Sequence, residues 1–124
     1  METVIIDKTP QTPSVRMKDG LIQITGRSIP EDPIAFYQEI LDWLDNYILT
    51  HDQDTTVEFN IDLMNTGSSK CLLDLLSRLN RAFSDKKNMK IVWHYDSEDE
   101  DMCEMGYDLK SFVDIPFEFK ENVA

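Results

Sequence analysis

Val57-Glu58-Phe59-Asn60-Ile61-Asp62-Leu63 runs into Met64-Asn65-Thr66-Gly67-Ser68-Ser69-Lys70, and then into a segment carrying Leu72, Leu75, Leu76, Leu79 and Phe83. The first seven residues alternate strictly between apolar and polar, the two-residue period of a strand. The leucines and Phe83 recur at spacings of 3, 4, 7 and 11, a helical period, and the segment ends near Ser84. A strand therefore turns directly into a helix. Because Glu58, Asn60 and Asp62 share one side of the strand, one face of its sheet meets water and the helices stack mainly on the other. This argues against a doubly covered Rossmann sheet.

Downstream, Ile91-Val92-Trp93-His94-Tyr95 is a short, nearly continuous apolar strand suited to a central position. A strand–helix–strand unit crosses over right-handed, so the two strands are expected to be parallel. Beyond them, Asp96 to Glu104 is acidic and opens a helix, Gly106 reads as its stop, Asp108 to Asp114 as a last short helix and Phe117-Glu118-Phe119 as a final strand. Upstream, Val15 to Thr25 reads as a hairpin turning at Asp19-Gly20, and Val4-Ile5-Ile6 as an added edge strand. Ser28-Ile29-Pro30-Glu31-Asp32-Pro33 then stops the sheet, with Asp32 placed to cap a helix from about Pro33 to Leu49. Its apolar positions Phe36, Tyr37, Ile40, Leu41, Leu44, Tyr47 and Ile48 form one face. The polar loop His51 to Asp54 leads back to the opening strand.

At 124 residues the chain makes one ordinary domain, and its 41% hydrophobic residues supply a core. Against 24 Asp and Glu stand 12 Lys and Arg, a net charge of −12 that repels nucleic acid and anionic membranes. Six of those carboxylates, Asp96, Glu98, Asp99, Glu100, Asp101 and Glu104, lie in one run that lacks the spaced ligands and turn glycine of an EF-hand. Arg78, Arg81, Lys86, Lys87 and Lys90 form an opposing basic stretch, so the molecule is expected to be electrically polarised. No leader peptide opens the chain and no apolar run approaches the ~20 residues of a membrane span, so a cytoplasmic protein without membrane insertion is expected. Cys71 and Cys103 lack metal or redox spacing and read as reduced thiols. Trp43 and Trp93 read as core aromatics.

Chemistry concentrates where strand meets helix. Asn65-Thr66-Gly67-Ser68-Ser69-Lys70 places three hydroxyls and a cation at a helix N-terminus, whose free amides favour anions. A phosphate on Thr66 is expected to accept from amides near Ser68, Ser69 and Lys70, assisted by the Lys70 ammonium. A plain cap by Ser68 or Ser69 explains the same residues, and spacing alone leaves both readings open. The phosphate-binding GxxxxGK[ST] loop is absent. A small hydrolase or metal-dependent enzyme would use Ser69 or Cys71 with His94 or His51, or the acidic run; no GxSxG elbow or Cys-x5-Arg loop supports it. A helix start can lower the pKa of a thiol, but Cys71 reads as bordering the core, and His94, sharing strand parity with Val92, reads as a satisfied structural histidine. A constitutive acidic adaptor is a third reading.

Thr12-Pro13, Gly26-Arg27-Ser28-Ile29-Pro30-Glu31, Phe36-Tyr37, Leu41-Asp42-Trp43-Leu44, Asn65-Thr66 with Ser68-Ser69-Lys70-Cys71-Leu72-Leu73-Asp74-Leu75-Leu76, and Glu100-Asp101-Met102 follow one another in the order of a known family. In these blocks the chain resembles the SiaC-like bacterial phosphoregulators over nearly its whole length. The resemblance implies a single domain over residues 1–124, an α/β fold with a mixed sheet and helices mainly on one face, like the anti-sigma-factor antagonists (STAS domains). It implies that Thr66 is the phosphoacceptor, with Asn65, Gly67, Ser68, Ser69 and Lys70 around it as the partner-binding surface. Gly67 stands where the family pattern often has serine, which implies a more flexible loop. The implied partners are a serine/threonine kinase of histidine-kinase-like ATPase type, a metal-dependent protein phosphatase and a diguanylate cyclase, so that the unmodified form controls cyclic di-GMP and biofilm formation. No catalysis, metal or cofactor is implied for the chain itself, since the kinase brings ATP and Mg²⁺.

Overall fold

The alternation of Thr55–Met64 sorts its side chains between two environments. Val57, Phe59 and Ile61 are buried, Glu58 and Asn60 are half-buried, and Asp62 is exposed. The structure, a computed structural model, describes residues 1–85 and 87–123; Lys86 of the expected basic stretch lies outside them.

Six strands lie side by side in chain order: β1 (Val4–Ile6), β2 (Ser14–Lys18), β3 (Leu21–Ser28), β4 (Thr55–Met64), β5 (Met89–Asp96) and β6 (Phe117–Asn122). The first three pair antiparallel, and β3 to β6 run parallel, giving a mixed sheet. Three helices, α1 (Pro33–Thr50), α2 (Thr66–Ser84) and α3 (Glu100–Lys110), fill the parallel crossovers. Each crossover steps in the same direction to the adjacent strand, and right-handed crossovers of that kind place every helix on one face. On that face Ile22 and Ile24 sit in register with Val57 and Phe59, and these in turn with Ile91 and Trp93. All six are buried against α1 and α2 residues that include Tyr37, Ile40, Leu44, Leu72, Leu76 and Leu79. Each such side chain contributes roughly 1.5–3 kcal/mol on burial. The other face, carrying Gln23, Glu58, Asn60, His94 and Lys120, is bare of helices among the described residues.

The hairpin forms with Lys18 opposite Leu21, and Gly20 supplies φ +84° at its turn. The amide of Gly20 donates to the Tyr47 hydroxyl at 2.9 Å, which ties the turn to α1. Beyond Thr25 the strand continues to Ser28, past the expected hairpin end, through an irregularity between Gly26 and Arg27 where Gly26 takes φ +114°. Asp32 caps α1 as expected, accepting from the Ala35 amide at 3.1 Å.

Two expectations at the C-terminal end are corrected. Gly106 does not stop a helix; it is buried inside α3, where an added Cβ would stand 2.5 Å from Cδ1 of Trp93 and 2.8 Å from the Phe119 ring. Close approach to the indole outweighs the ~1 kcal/mol that glycine costs a helix. No separate helix forms over Asp108 to Asp114, because α3 runs on to Lys110 and the chain then turns at Ser111 and Phe112. The Asp114 amide is instead held by the Asn80 side chain at 2.8 Å.

Candidate functional site

One residue, Asn65, separates the end of β4 from the first turn of α2. Its Oδ1 accepts from the Ser68 amide at 2.9 Å, its Nδ2 donates to the Pro30 carbonyl at 3.1 Å, and its own amide donates to the Ser28 carbonyl at 3.1 Å. Its carbonyl takes the Ser69 amide at 3.1 Å. Asn65 is therefore the cap, a role the sequence had offered to Ser68 or Ser69, and it anchors α2 to the segment between β3 and α1.

Thr66 is the first helical residue and is exposed. Among the described residues its hydroxyl has no hydrogen-bond partner. The amides of Thr66 and Gly67 likewise bond to no described acceptor, as the first turn of a helix dictates. The anion-binding amides are thus those of Thr66 and Gly67. This corrects the expected set: Ser68 and Ser69 spend their amides on Asn65, and Lys70 lies far enough in for the helical ladder to use its own. Lys70 is exposed one turn after Thr66, on the same side of the helix, where its ammonium can reach a phosphate on that residue.

Gly67 stands in the first turn of α2 rather than in a loop. An added Cβ would stand 2.7 Å from Cγ of Pro33, the first residue of α1. The missing side chain lets the two helix N-termini touch.

Ser68, expected on the partner-binding surface, is fully buried. Its hydroxyl accepts from Ser28 Oγ at 2.9 Å, and Ser28 Oγ lies 2.7 Å from the Tyr37 hydroxyl. Since the one Ser28 proton goes to Ser68, Tyr37 is the donor to Ser28. Burial pushes the Tyr37 phenol up to about 12, which keeps that proton in place. This chain of three hydroxyls escaped the sequence reading because Tyr37 fits the apolar stripe of α1; the one signal was a serine, Ser28, closing a strand otherwise buried by isoleucines. Ser69 is half-buried and its hydroxyl lies 3.3 Å from the Asn65 carbonyl.

The groups of the hydrolase reading are not brought together. Cys71 is partly buried against the core, as expected, and its thiol is pushed up, first by burial and then by Asp74 and Asp32. His94 points from the bare face of the sheet, opposite α2, and is neither packed in the core nor hydrogen-bonded to a described residue, which corrects its reading as a satisfied structural histidine. His51 caps the far end of α1, about 27 Å along the axis from Pro33. In the acidic run, Asp99 caps α3 by accepting from the Met102 amide at 3.0 Å, and Glu100 and Asp101 occupy the first turn, where the helix dipole favours carboxylates. Among the described residues no group of three or more His, Cys, Asp or Glu is placed to hold a metal ion. The basic stretch is largely neutralised in place: Arg78 reaches Asp45 at 2.7 Å and Asp74 at 3.1 Å, Lys87 pairs with Asp52, and Lys90 reaches Glu118 at 3.4 Å. Trp43 and Trp93 are both buried, with their indole N–H groups donating to the carbonyls of Glu2 and Met102.

No helix among the described residues is long and apolar enough to cross a membrane. The chain is 24% identical over 119 residues to an uncharacterised protein of Pseudomonas aeruginosa strain UCBPP-PA14, spanning 94% of each. Its fold is that of SiaC of Pseudomonas aeruginosa, with a TM-score of 0.92 at 22% identity over 98% of this chain and 100% of that one. A chain in the crystal structure of the diguanylate cyclase SiaD in complex with its activator SiaC, from the same organism, also gives 0.92 at 22% identity, covering 96% and 99%. A profile of the SiaC family of regulatory phosphoproteins matches residues 6–122, so the chain belongs to that family.

Proposed function

We propose that the chain is a non-enzymatic partner-switching protein whose Thr66 hydroxyl takes a phosphate from a serine/threonine kinase of histidine-kinase-like ATPase type and loses it to a metal-dependent phosphatase. The unmodified form docks through the surface around Thr66 on a diguanylate cyclase and regulates it, and the phosphate prevents docking. The cycle runs in the cytoplasm, residues 1–124 act as one unit, and the chain needs no cofactor of its own. The observation that carries this reading is the exposed Thr66 hydroxyl, held at the first position of a capped helix beside two unbonded amides and Lys70. Membership of a regulatory phosphoprotein family supports it, as does the cyclase that the relative SiaC activates.

Magnitudes decide how the switch acts. A negative charge at a helix N-terminus contributes about 0.3–1 kcal/mol, up to ~2 in the best geometry, too little to refold the domain. Left unpaired inside a protein interface, the same charge costs roughly 3–5 kcal/mol. Every ~1.4 kcal/mol is a factor of ten in affinity, so blocking the interface locally is sufficient. Calorimetric titration of the target cyclase should accordingly show Thr66→Glu binding about a hundredfold or more weaker than wild type, while its melting temperature stays within a few degrees. Equal affinities would reject the mechanism.

A further inference from the structure

β6 is the outer strand of the sheet, and its pairing with β5 uses only half of its backbone groups. The register from Ile91 opposite Phe117 to Asp96 opposite Asn122, with the Ile91 amide donating to the Pro116 carbonyl at 2.9 Å and Ser97 to the Asn122 carbonyl at 3.3 Å, fixes which half. Glu118, Lys120 and Asn122 face β5. The amides and carbonyls of Phe117, Phe119 and Glu121 point outward, and no other described element bonds to them. Beside this edge lies an aromatic shelf: Phe119 stacks on Tyr107 at 4.1 Å, Phe117 lies 5.9 Å from Phe119, and Tyr107 is 53% exposed. An unpaired edge bordered by exposed aromatic surface is a template for another strand.

We propose that β6 pairs antiparallel with β6 of a second copy of this chain, about a two-fold axis through Phe119. The outward groups lie on odd-numbered residues, so a symmetric ladder must set odd against odd, and three registers keep the strand centred. An axis through Glu118 sets that carboxylate against its own copy, and an axis through Lys120 does the same with two ammonium groups. Like charges directly opposite destabilise a pair. Only the axis through Phe119 sets Glu118 against Lys120 twice, at the non-hydrogen-bonded positions where side chains approach most closely. The same axis lets Phe117, Phe119 and Glu121 meet Glu121, Phe119 and Phe117 of the copy through all their outward backbone groups. The two aromatic shelves then meet on the helix face, and the ion pairs line the bare face. Since β5 separates β6 from β4, the sheet grows away from the strand that leads to Thr66, and a dimer presents two such sites.

An edge of six residues buries far less than the ~1,600 Å² of a standard interface, so association is weak and depends on concentration. Sedimentation equilibrium over a rising concentration series tests it. The informative variant is Lys120→Glu, because Lys120 is exposed and has no ion-pair partner among the described residues, whereas Glu118 also reaches Lys90. The wild type should dimerise as concentration rises, Lys120→Glu should dimerise about tenfold more weakly, and Glu118→Lys with Lys120→Glu should recover the loss. Circular dichroism should be the same for all three. A wild type that stays monomeric throughout contradicts the proposal and leaves the edge to a strand of another protein. A dimer that Lys120→Glu leaves unchanged, or that the double exchange fails to restore, contradicts it equally.

Discussion

Gly67 and Ser68 show how much of the Thr66 site is decided by residues that carry no phosphate. Gly67 brings the first turn of α2 against Pro33, and Ser68 ties that turn inward to Ser28 and Tyr37. Thr66 is left facing outward on a turn fixed from below. Gly67→Ser should therefore destabilise the fold by about 1 kcal/mol, because the new Cβ meets a proline ring that yields little. Chemical denaturation of Gly67→Ser, Pro33→Ala and the double variant checks this: the serine should cost clearly less once Pro33 is shortened, whereas strict additivity would show that the contact does not matter. Tyr37 gives a second test through pH. Its phenol ionises near 10 in the unfolded chain and at about 12 in the fold, so its contribution is fully present below pH 10 and is lost as pH rises through about 12. The amount at stake is on the order of 2–3 kcal/mol. Tyr37→Phe should flatten the fall in stability between pH 10 and 12, and an identical pH profile would mean that the phenol is not held as the structure shows.

At the scale of elements, α3 is where sequence and structure part. Glycine near the end of a helical pattern is ordinarily a stop, and nothing local distinguishes Gly106 from one. What distinguishes it is Trp93, thirteen positions earlier and on another element, whose ring fills the space a side chain would take. Gly106→Ala should thus lower stability by about 1–3 kcal/mol despite alanine's better helix propensity, with a smaller near-ultraviolet signal from the displaced indole. A gain in denaturation midpoint would show that propensity wins. β4, by contrast, was legible because both of its determinants are local: the alternation from Val57 to Leu63 and the hydroxyl-rich turn after it. The one-sided helix layer followed from Glu58, Asn60 and Asp62 for the same reason. The Ser28–Tyr37–Ser68 chain was not legible, since a hydroxyl in an apolar stripe reveals its partners only once three elements converge.

At the scale of the whole molecule, a net charge of −12 reads from the sequence as a property of the surface as a whole, and the fold gives it local meanings. Asp99, Glu100 and Asp101 cap and complement α3, while Asp45, Asp52, Asp74 and Glu118 neutralise the basic stretch where it lies. The expected polarity between acidic and basic ends is weaker than the sequence implies, because ion pairing is a matter of tertiary neighbours. Against this acidic total, a phosphate adding roughly −1.5 to −2 at one exposed helix start is a small change in total charge and a large local one. The account rests on Thr66 being where that charge arrives. Intact-mass analysis after incubation with the cognate kinase and ATP measures this directly: the wild type should gain one phosphate and Thr66→Ala none. Full phosphorylation of Thr66→Ala would contradict the account.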